Sequence, residues 1–509
     1  MLLWCAMLGV CGAVVAARSS RYPQSLMPWV LAVANSSSFF FLTVVVFFTN
    51  PFRHLKTDFI PPDGNGLNPL LQNPFMAIHP PTLYLGFTML SIPYAFCLAA
   101  LLSGSLSNDW IRLTRRYTLI AWGFLTAGIV LGGYWAYIEL GWGGFWAWDP
   151  VENASFLPWL TATAFVHSVM VQERKNMLRF WNIWLVVGTY GLTVFGTFLT
   201  RSGVVQSVHA FASTNIGWMF LVYLGVLFVF TAILTFYRRK ELKSERKIES
   251  FFSREAAFLL NNLVLLSICF AILWGVLFPV FSEAVTGTKQ TVSIPFFNAV
   301  NVPLFLILIF LMGIGPLIAW KKASFKSLIQ TFTFPFIFSL ILAGVLVWAG
   351  IVSFYPVLAY SLCFFVLLTI LGELHRGLKA QRGAGQSTNI VSDGSRLLRR
   401  HRTRYAGYLI HLGVLIAAVG ITASMAHKVE REFTLAESES FEIGRFSLKL
   451  DHIESRRKSN YAALYAAVDL ATRSDGKFIR RLEPEMRVYF LNRGQETTSE
   501  VAINKSFRE

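Results

Sequence analysis

Charge is scarce in this 509-residue chain: Asp, Glu, Lys and Arg together make up only 14%. A soluble domain runs near 25% charged, so the polar surface needed to cover a globule of this size is missing. A water-soluble enzyme is excluded, and 54% hydrophobic residues exclude a disordered chain. Cysteine is scarce as well. Cys5, Cys11, Cys97, Cys269 and Cys363 all lie in apolar runs, with no C-x-x-C, no zinc spacing and no C-x-x-C-H. That excludes a disulfide scaffold and a thiolate metal centre, and the five read as buried small hydrophobes. The net charge of +17 does not call for nucleic acid, because basic residues of membrane proteins gather in cytoplasmic loops.

What the chain has instead is aromatic and aliphatic length. Aromatics reach 15%, with 46 Phe, 16 Tyr and 15 Trp. Twelve apolar runs span 1–17, 27–50, 81–103, 117–136, 156–172, 180–199, 216–236, 257–278, 303–320, 328–349, 352–372 and 406–425. Runs of about 20 apolar residues predict an all-α polytopic membrane protein with about twelve transmembrane helices. VAARSS after the first run resembles a signal-peptide cleavage site, but no basic n-region precedes it, and the run is read as a span.

Orientation follows from Lys and Arg in alternate loops. One set of loops holds 26 of them; the other holds four, Arg53, Lys56, Arg201 and Lys289. The rich set is cytoplasmic by the positive-inside rule. The loops near 51–80, 137–155, 200–215 and 279–302 then share the opposite, periplasmic face with everything after about 426. That last segment changes character: FSLKLDHI (446–453) alternates, and Asp475-Gly476 suits a hairpin turn between Tyr465–Leu470 and Lys477–Leu482. Two domains are expected, a helical bundle over 1–425 and a small β-rich periplasmic domain over 426–509. Met1 opens inside an apolar run and no closing element precedes Glu509, so the chain is expected to continue at both ends.

None of the twelve runs contains Asp, Glu, Lys or Arg, which weighs against an ion-coupled transporter. His167 and His411 are the only histidines inside runs. His167 lies five residues before Gln172 and His411 seven after Arg404. At ~1.5 Å per residue, both sit about 8–10 Å inside the cytoplasmic boundary. Two imidazoles at one depth on two helices are the least equipment for bis-axial ligation of a haem iron. The alternative is two unrelated packing histidines, each bonded to a carbonyl.

The stretch GWGGFWAWDPVENASFLPWL (141–160) packs Trp142, Trp146, Trp148 and Trp159 into a loop and helix start with three glycines. An interfacial aromatic belt scatters its residues over many helix ends. Concentration in one loop suits a large planar apolar ligand, and Asp149, Glu152 and Asn153 are placed to satisfy polar groups or cap the following helix. His79, just before the third run, and His209, just before the seventh, fall on the same face. Each is either an exposed loop histidine or part of this site.

This stretch resembles the tryptophan-rich WWD segment of haem-handling membrane proteins, and most resembles the CcmF family of bacterial cytochrome c haem lyases. The likeness extends through NPFMAIHPPTLYLGF (73–87), FLTRSGVVQSVHAFA (198–212), SREAAFLLNNL (253–263), PFFNAVNVPL (295–304) and RYAGYLIHLGV (404–414). A sibling lyase dedicated to nitrite reductase shares the pattern. The resemblance implies cytochrome c maturation at the bacterial inner membrane. It implies a resident haem b on His167 and His411 as metal ligands. It also implies substrate haem bound at the WWD loop (137–160) by Trp142, Trp146, Trp148 and Asp149, with His79 and His209 on its iron. The haem chaperone CcmE, CcmH- and CcmI-type subunits, apocytochrome c and membrane lipid are the implied partners, with no nucleic acid. The implied chemistry is thioether formation by a subunit of a lyase complex, with no catalytic side chain assigned. A haem-binding transporter or exporter is the competing class.

Overall fold

A computed structural model describes the whole chain except residues 55–63, 65, 206, 208, 210–214, 245–247, 321–323, 384–388, 492–493 and 505–509. Lys56, Arg246, Lys247, Lys321 and Lys322, which entered the charge asymmetry, lie outside the described residues.

Among the described residues, eleven helices are long and apolar enough to cross a membrane. The expected twelfth, α1 (Leu2–Ala17), is apolar but only 16 residues long. At 1.5 Å per residue it reaches about 24 Å, short of a ~30 Å hydrocarbon core. The chain continues with α2 (Met27–Thr43), α3 (Pro74–Met89), α4 (Ser91–Ser103), α5 (Asp109–Glu139), α6 (Pro150–Lys175), α7 (Arg179–Ser202) and α8 (Gly217–Tyr237). Then come α9 (Arg254–Thr286), α10 (Ile294–Ile314), α11 (Phe325–Trp348), α12 (Phe354–Gly383), a short α13 (Ile390–Arg400) and α14 (Arg402–Ala426). This is the polytopic helical class expected from composition.

The core centres on α4, where every residue from Ser91 to Leu101 is buried. It packs between α2, α5 and α7. A second core cluster joins α10, α12 and α14 through Ile309, Phe365, Val366, Tyr405, Tyr408 and Leu415. α11 and α14 are the least covered of the long helices, consistent with faces turned to lipid. All five cysteines are free; Cys11, Cys97, Cys269 and Cys363 are buried, while Cys5 is only half-buried, at the margin of the short α1.

α3 departs from the sequence reading. The third run was expected to begin at Pro81, leaving His79 in the loop just before it. Instead the helix begins at Pro74, with the Asn73 side chain accepting from the Phe75 N–H. Asparagine at the N-cap and proline at the first position form a complete start signal. Pro80 and Pro81 are carried inside the helix. They withhold two N–H groups but do not end it, because α3 is clamped against α5. A Cβ on Gly86 would lie 2.7 Å from the backbone of Leu125, and one on Gly128 2.7 Å from that of Leu83. Two glycines facing opposite backbones permit an approach that no larger residue allows.

Beyond α14 lies one antiparallel sheet, in the order β1 (Ser440–Ile443), β2 (Phe446–Arg457), β3 (Tyr461–Thr472), β5 (Glu485–Leu491) and β6 (Gly494–Glu500). β4 (Phe478–Leu482) pairs with β3, and Gly476 takes φ +67° in the turn between them. The Asn460 side chain donates to Gln72 at 3.1 Å, tying the sheet to the segment before α3.

Candidate functional site

The tryptophan loop is organised around Asp149. This residue is the N-cap of α6, its carboxylate accepting from the Val151 N–H at 2.9 Å. Glu152 reaches back to the N–H groups of Asp149 and Ala147, both at 3.1 Å, completing a capping box. The same Asp149 oxygen accepts from the Ser207 hydroxyl at 2.7 Å and from His209 Nδ1 at 3.0 Å. Burial alone would raise the Asp149 pKa. The hydrogen bonds and charge of His209, with Ser207 and the Val151 amide, outweigh it and hold the carboxyl below the usual aspartate value.

His209 is framed by indoles. Its ring centre lies 5.3 Å from that of Trp135 and 6.3 Å from that of Trp142. Trp148 sits at φ +57°, a left-handed conformation that costs a β-carbon residue energy. Its surroundings over-determine it: the indole N–H donates to Asn298 at 2.9 Å, and the ring stacks on Phe297 at 5.2 Å and 10°. The Asn153 amide donates to the Trp148 carbonyl at 2.8 Å. Trp146 stands edge-on to Trp148 at 6.0 Å and to Phe156 at 5.7 Å. From Phe156 a row of rings runs down α6, stacking on Trp159 at 5.3 Å, which stacks on Trp122 at 5.9 Å.

His79 lies within α3, half-buried against α5. Its Nδ1 is 2.7 Å from the Gly128 carbonyl. The ring rests so close on Gly132 that a Cβ there would meet it at 2.5 Å. His79 and His209 are within electrostatic reach of each other. His209 is the one of the two placed against the tryptophan loop, beside Trp142; His79 makes its contacts with α5.

The second constellation lies deeper, toward the basic end of the bundle. His167 of α6 and His411 of α14 have ring centres 6.4 Å apart and planes within 12° of parallel. His167 Nδ1 meets the Thr163 carbonyl at 2.7 Å. His411 Nδ1 is buried with no hydrogen-bond partner among the described residues.

One chemical rule unites three of these histidines. A carbonyl or carboxylate oxygen accepts only, so Nδ1 carries the proton in His79, His167 and His209, leaving Nε2 with its lone pair. A ring N–H given to an oxygen, with the other nitrogen free, is how ligating histidines are oriented. Two nitrogens each ~2 Å from one iron also put imidazole centres roughly 6 Å apart. His167 and His411 thus fit a six-coordinate haem iron in spacing, with the tautomer fixed for His167 and a ring nitrogen of His411 left unpartnered. Among the described residues, no group of three or more His, Cys, Asp or Glu could hold a bare metal ion.

Residues the sequence reading missed are Ser207, Asn298, Gly128 and Gly132. Asn298 carries a visible signal, an amide within the apolar PFFNAVNVPL. Ser207 carries none, since its role exists only once the chain returns past Asp149.

A many-spanning helical bundle with an aromatic loop on His209 and a histidine pair between α6 and α14 defines a polytopic membrane protein of the kind expected from the sequence. Comparison with known proteins agrees. The family described as "Cytochrome C assembly protein" matches residues 1–206, and "CcmF C-terminal beta-sandwich" matches 426–509. The Bradyrhizobium diazoefficiens cytochrome c-type biogenesis protein CycK is 36% identical over 509 residues, 99% of this chain and 75% of its own length. The Pseudomonas aeruginosa cytochrome c-type biogenesis protein CcmF is likewise 36% identical, over 100% of this chain and 75% of its length. A solved structure of the cytochrome c haem lyase CcmF superimposes with a TM-score of 0.74 at 27% identity, covering 99% of this chain and 74% of that one. The chain belongs to the CcmF family of cytochrome c-type biogenesis proteins, whose role is that of haem lyase.

Proposed function

We propose that this chain binds substrate haem at the tryptophan loop, on the periplasmic face of a bacterial inner membrane, and presents it for covalent attachment to apocytochrome c. The observation that carries the reading is the shared Asp149 oxygen, which fixes His209 beside Trp135 and Trp142 while capping the helix that follows.

The chain's own residues do the positioning. The indoles of Trp142, Trp146 and Trp148 supply an apolar wall of edges and faces against which a flat macrocycle would rest with water excluded. His79 and His209, each donating from Nδ1, would supply their Nε2 nitrogens to the substrate iron. Asp149 keeps His209 in the Nδ1–H tautomer, and the Gly128 carbonyl does the same for His79. A haem so held has its vinyl edge fixed relative to an incoming C-x-x-C-H segment. Each cysteine S–H then adds across a vinyl double bond. One C–S bond forms, the proton goes to the neighbouring vinyl carbon, and nothing is oxidised or reduced. Fixed orientation is what accelerates such an addition.

His167 and His411 would hold a resident haem b, which supplies a one-electron couple inside the membrane. CcmE as haem donor, CcmH- and CcmI-type subunits presenting apocytochrome, and membrane lipid complete the assembly. Residues 1–425 serve as the haem-handling bundle and 426–509 as the β-rich unit on the same face as the loop. The test is to supply the purified protein with haem-loaded CcmE-type donor and apocytochrome. Thioether-linked product is the expected result; haem released without attachment would favour a carrier or exporter instead.

A further inference from the structure

Two turns beyond the inner histidines, toward the basic end, three arginines converge. Arg174 lies seven residues after His167 on α6, and Arg404 lies seven before His411 on α14. Arg254 opens α9. The Trp320 ring is held between Arg174 and Arg254, their guanidinium carbons 4.9 and 5.2 Å from its centre. The charges of Arg174 and Arg404 both reach Arg254. The cluster is contiguous with the histidine pair: Trp320 packs on Phe258 at 6.0 Å, and Phe258 on His167 at 5.9 Å.

Its charge is not balanced by its neighbours. Glu373 is buried and bonds Arg404 and, at 2.8 Å, Arg376. Lys175 and Glu255 pair at 3.0 Å. Those contacts set two carboxylates against three cations, and Arg174 and Arg254 raise the cations to five. Arg254 donates to the carbonyls of Ile318 and Pro316 and so shapes the loop after α10. Arg174 has no carboxylate partner among the described residues; its contact is the indole face. Gathering cations of one sign beside an aromatic wall is unfavourable unless an anion comes to them. Seven helical residues measure about 10 Å along the axis, comparable to the reach from the centre of a porphyrin to its two carboxylate arms. Arginine is the side chain suited to planar, bidentate carboxylate recognition.

We propose that Arg174, Arg254 and Arg404 form a dicarboxylate site that grips the propionate arms of the haem held between His167 and His411. The inference rests on the resident-haem reading and goes beyond it: it fixes which edge of that haem faces the basic end and which residues select it. Arg174 and Arg404 touch the arms, while Arg254, tied into the loop, sets the position of Trp320.

The test reconstitutes the purified full chain, stripped of haem, with protohaem or with its dimethyl ester, whose arms carry no charge. The low-spin absorption band and the affinity are read for each. Wild type should bind the free acid roughly tenfold more tightly than the diester, the scale of one charge-assisted contact, and Arg174→Gln should narrow that gap. Equal affinity of wild type for the two haems overturns the inference and leaves the resident-haem reading standing. No low-spin band with either haem overturns both. A gap unchanged by Arg174→Gln, together with loss of co-purifying phosphatidylglycerol, would assign the cluster to a lipid phosphate and overturn the proposal. Arg174 is exposed at the helix end, and melting of the haem-free variant checks that it folds; if it does not, the comparison of the two haems in wild type decides alone.

Discussion

The imidazoles of His167 and His411 lie with ring centres 6.4 Å apart and planes 12° from parallel, on helices α6 and α14 that belong to different core clusters. A pair of half-buried polar rings brought together across the bundle has a cost unless something is shared between them.

If that something is an iron, His167→Ala and His411→Ala should each abolish a low-spin haem b spectrum in the purified protein while the bundle still folds. Visible absorption of the reduced protein reads the outcome. Retention of the band in both single variants would overturn the assignment.

The outer site should separate ligand from platform. His79→Ala or His209→Ala should lower haem attachment while leaving the inner spectrum intact, and added imidazole should restore part of the activity by offering the same nitrogen. Trp146→Ala removes stacking area, which imidazole does not replace. Thioether product formed in the presence and absence of imidazole makes the comparison; rescue of all three alike would contradict it.

Asp149 gives the loop an acid limit. Its folded-state pKa is depressed below the ordinary 3.8, so its stabilisation is present above that value and is lost as pH falls through the lower folded value. Protection of the loop from proteolysis should persist down to about pH 4 and fail below it. In Asp149→Asn the acid limb should vanish and protection at neutral pH should be weaker. An identical acid profile in both proteins would count against the linkage.

The α3–α5 seam makes a steric prediction. Gly128→Ala drives a methyl into the backbone of Leu83 and should cost about 1–3 kcal/mol, the range for overpacking, seen as a lower melting temperature in detergent. Gly132→Ala strikes the His79 ring instead. It should reduce haem attachment more than stability.

Orientation is checked by reporter fusions: cytoplasmic after Arg400, periplasmic after Gly476. A cytoplasmic reading at Gly476 would invert the sheet relative to the basic loops.

The helical class was legible because hydrophobic length is a one-dimensional property. The matched depth of His167 and His411 came from counting residues to the nearest charge, and helical rise converts that count to distance. The crowding of Trp142, Trp146 and Trp148 was equally plain. What stayed hidden depended on the third dimension. His79 was expected in a loop because two prolines follow it, and nothing local says that α5 will clamp the helix through them. Gly128 and Gly132 resemble any glycines of an apolar run until His79 and Leu83 arrive against them. The partnership of Asp149 with His209 joins residues 60 apart and has no periodic signature.

The helix α6 begins at the Asp149 cap and carries His167 on the same continuous rod. Eighteen residues at 1.5 Å set the two roughly 27 Å apart. The helix is therefore a ruler: the interval between the aromatic mouth and the inner histidine is a length written into one segment of chain. Inserting or deleting a single residue between Asp149 and His167 would turn the inner imidazole by about 100° about the axis while shifting it by little more than an ångström. The count along α6 is thus a dimension of this protein set by one uninterrupted helix.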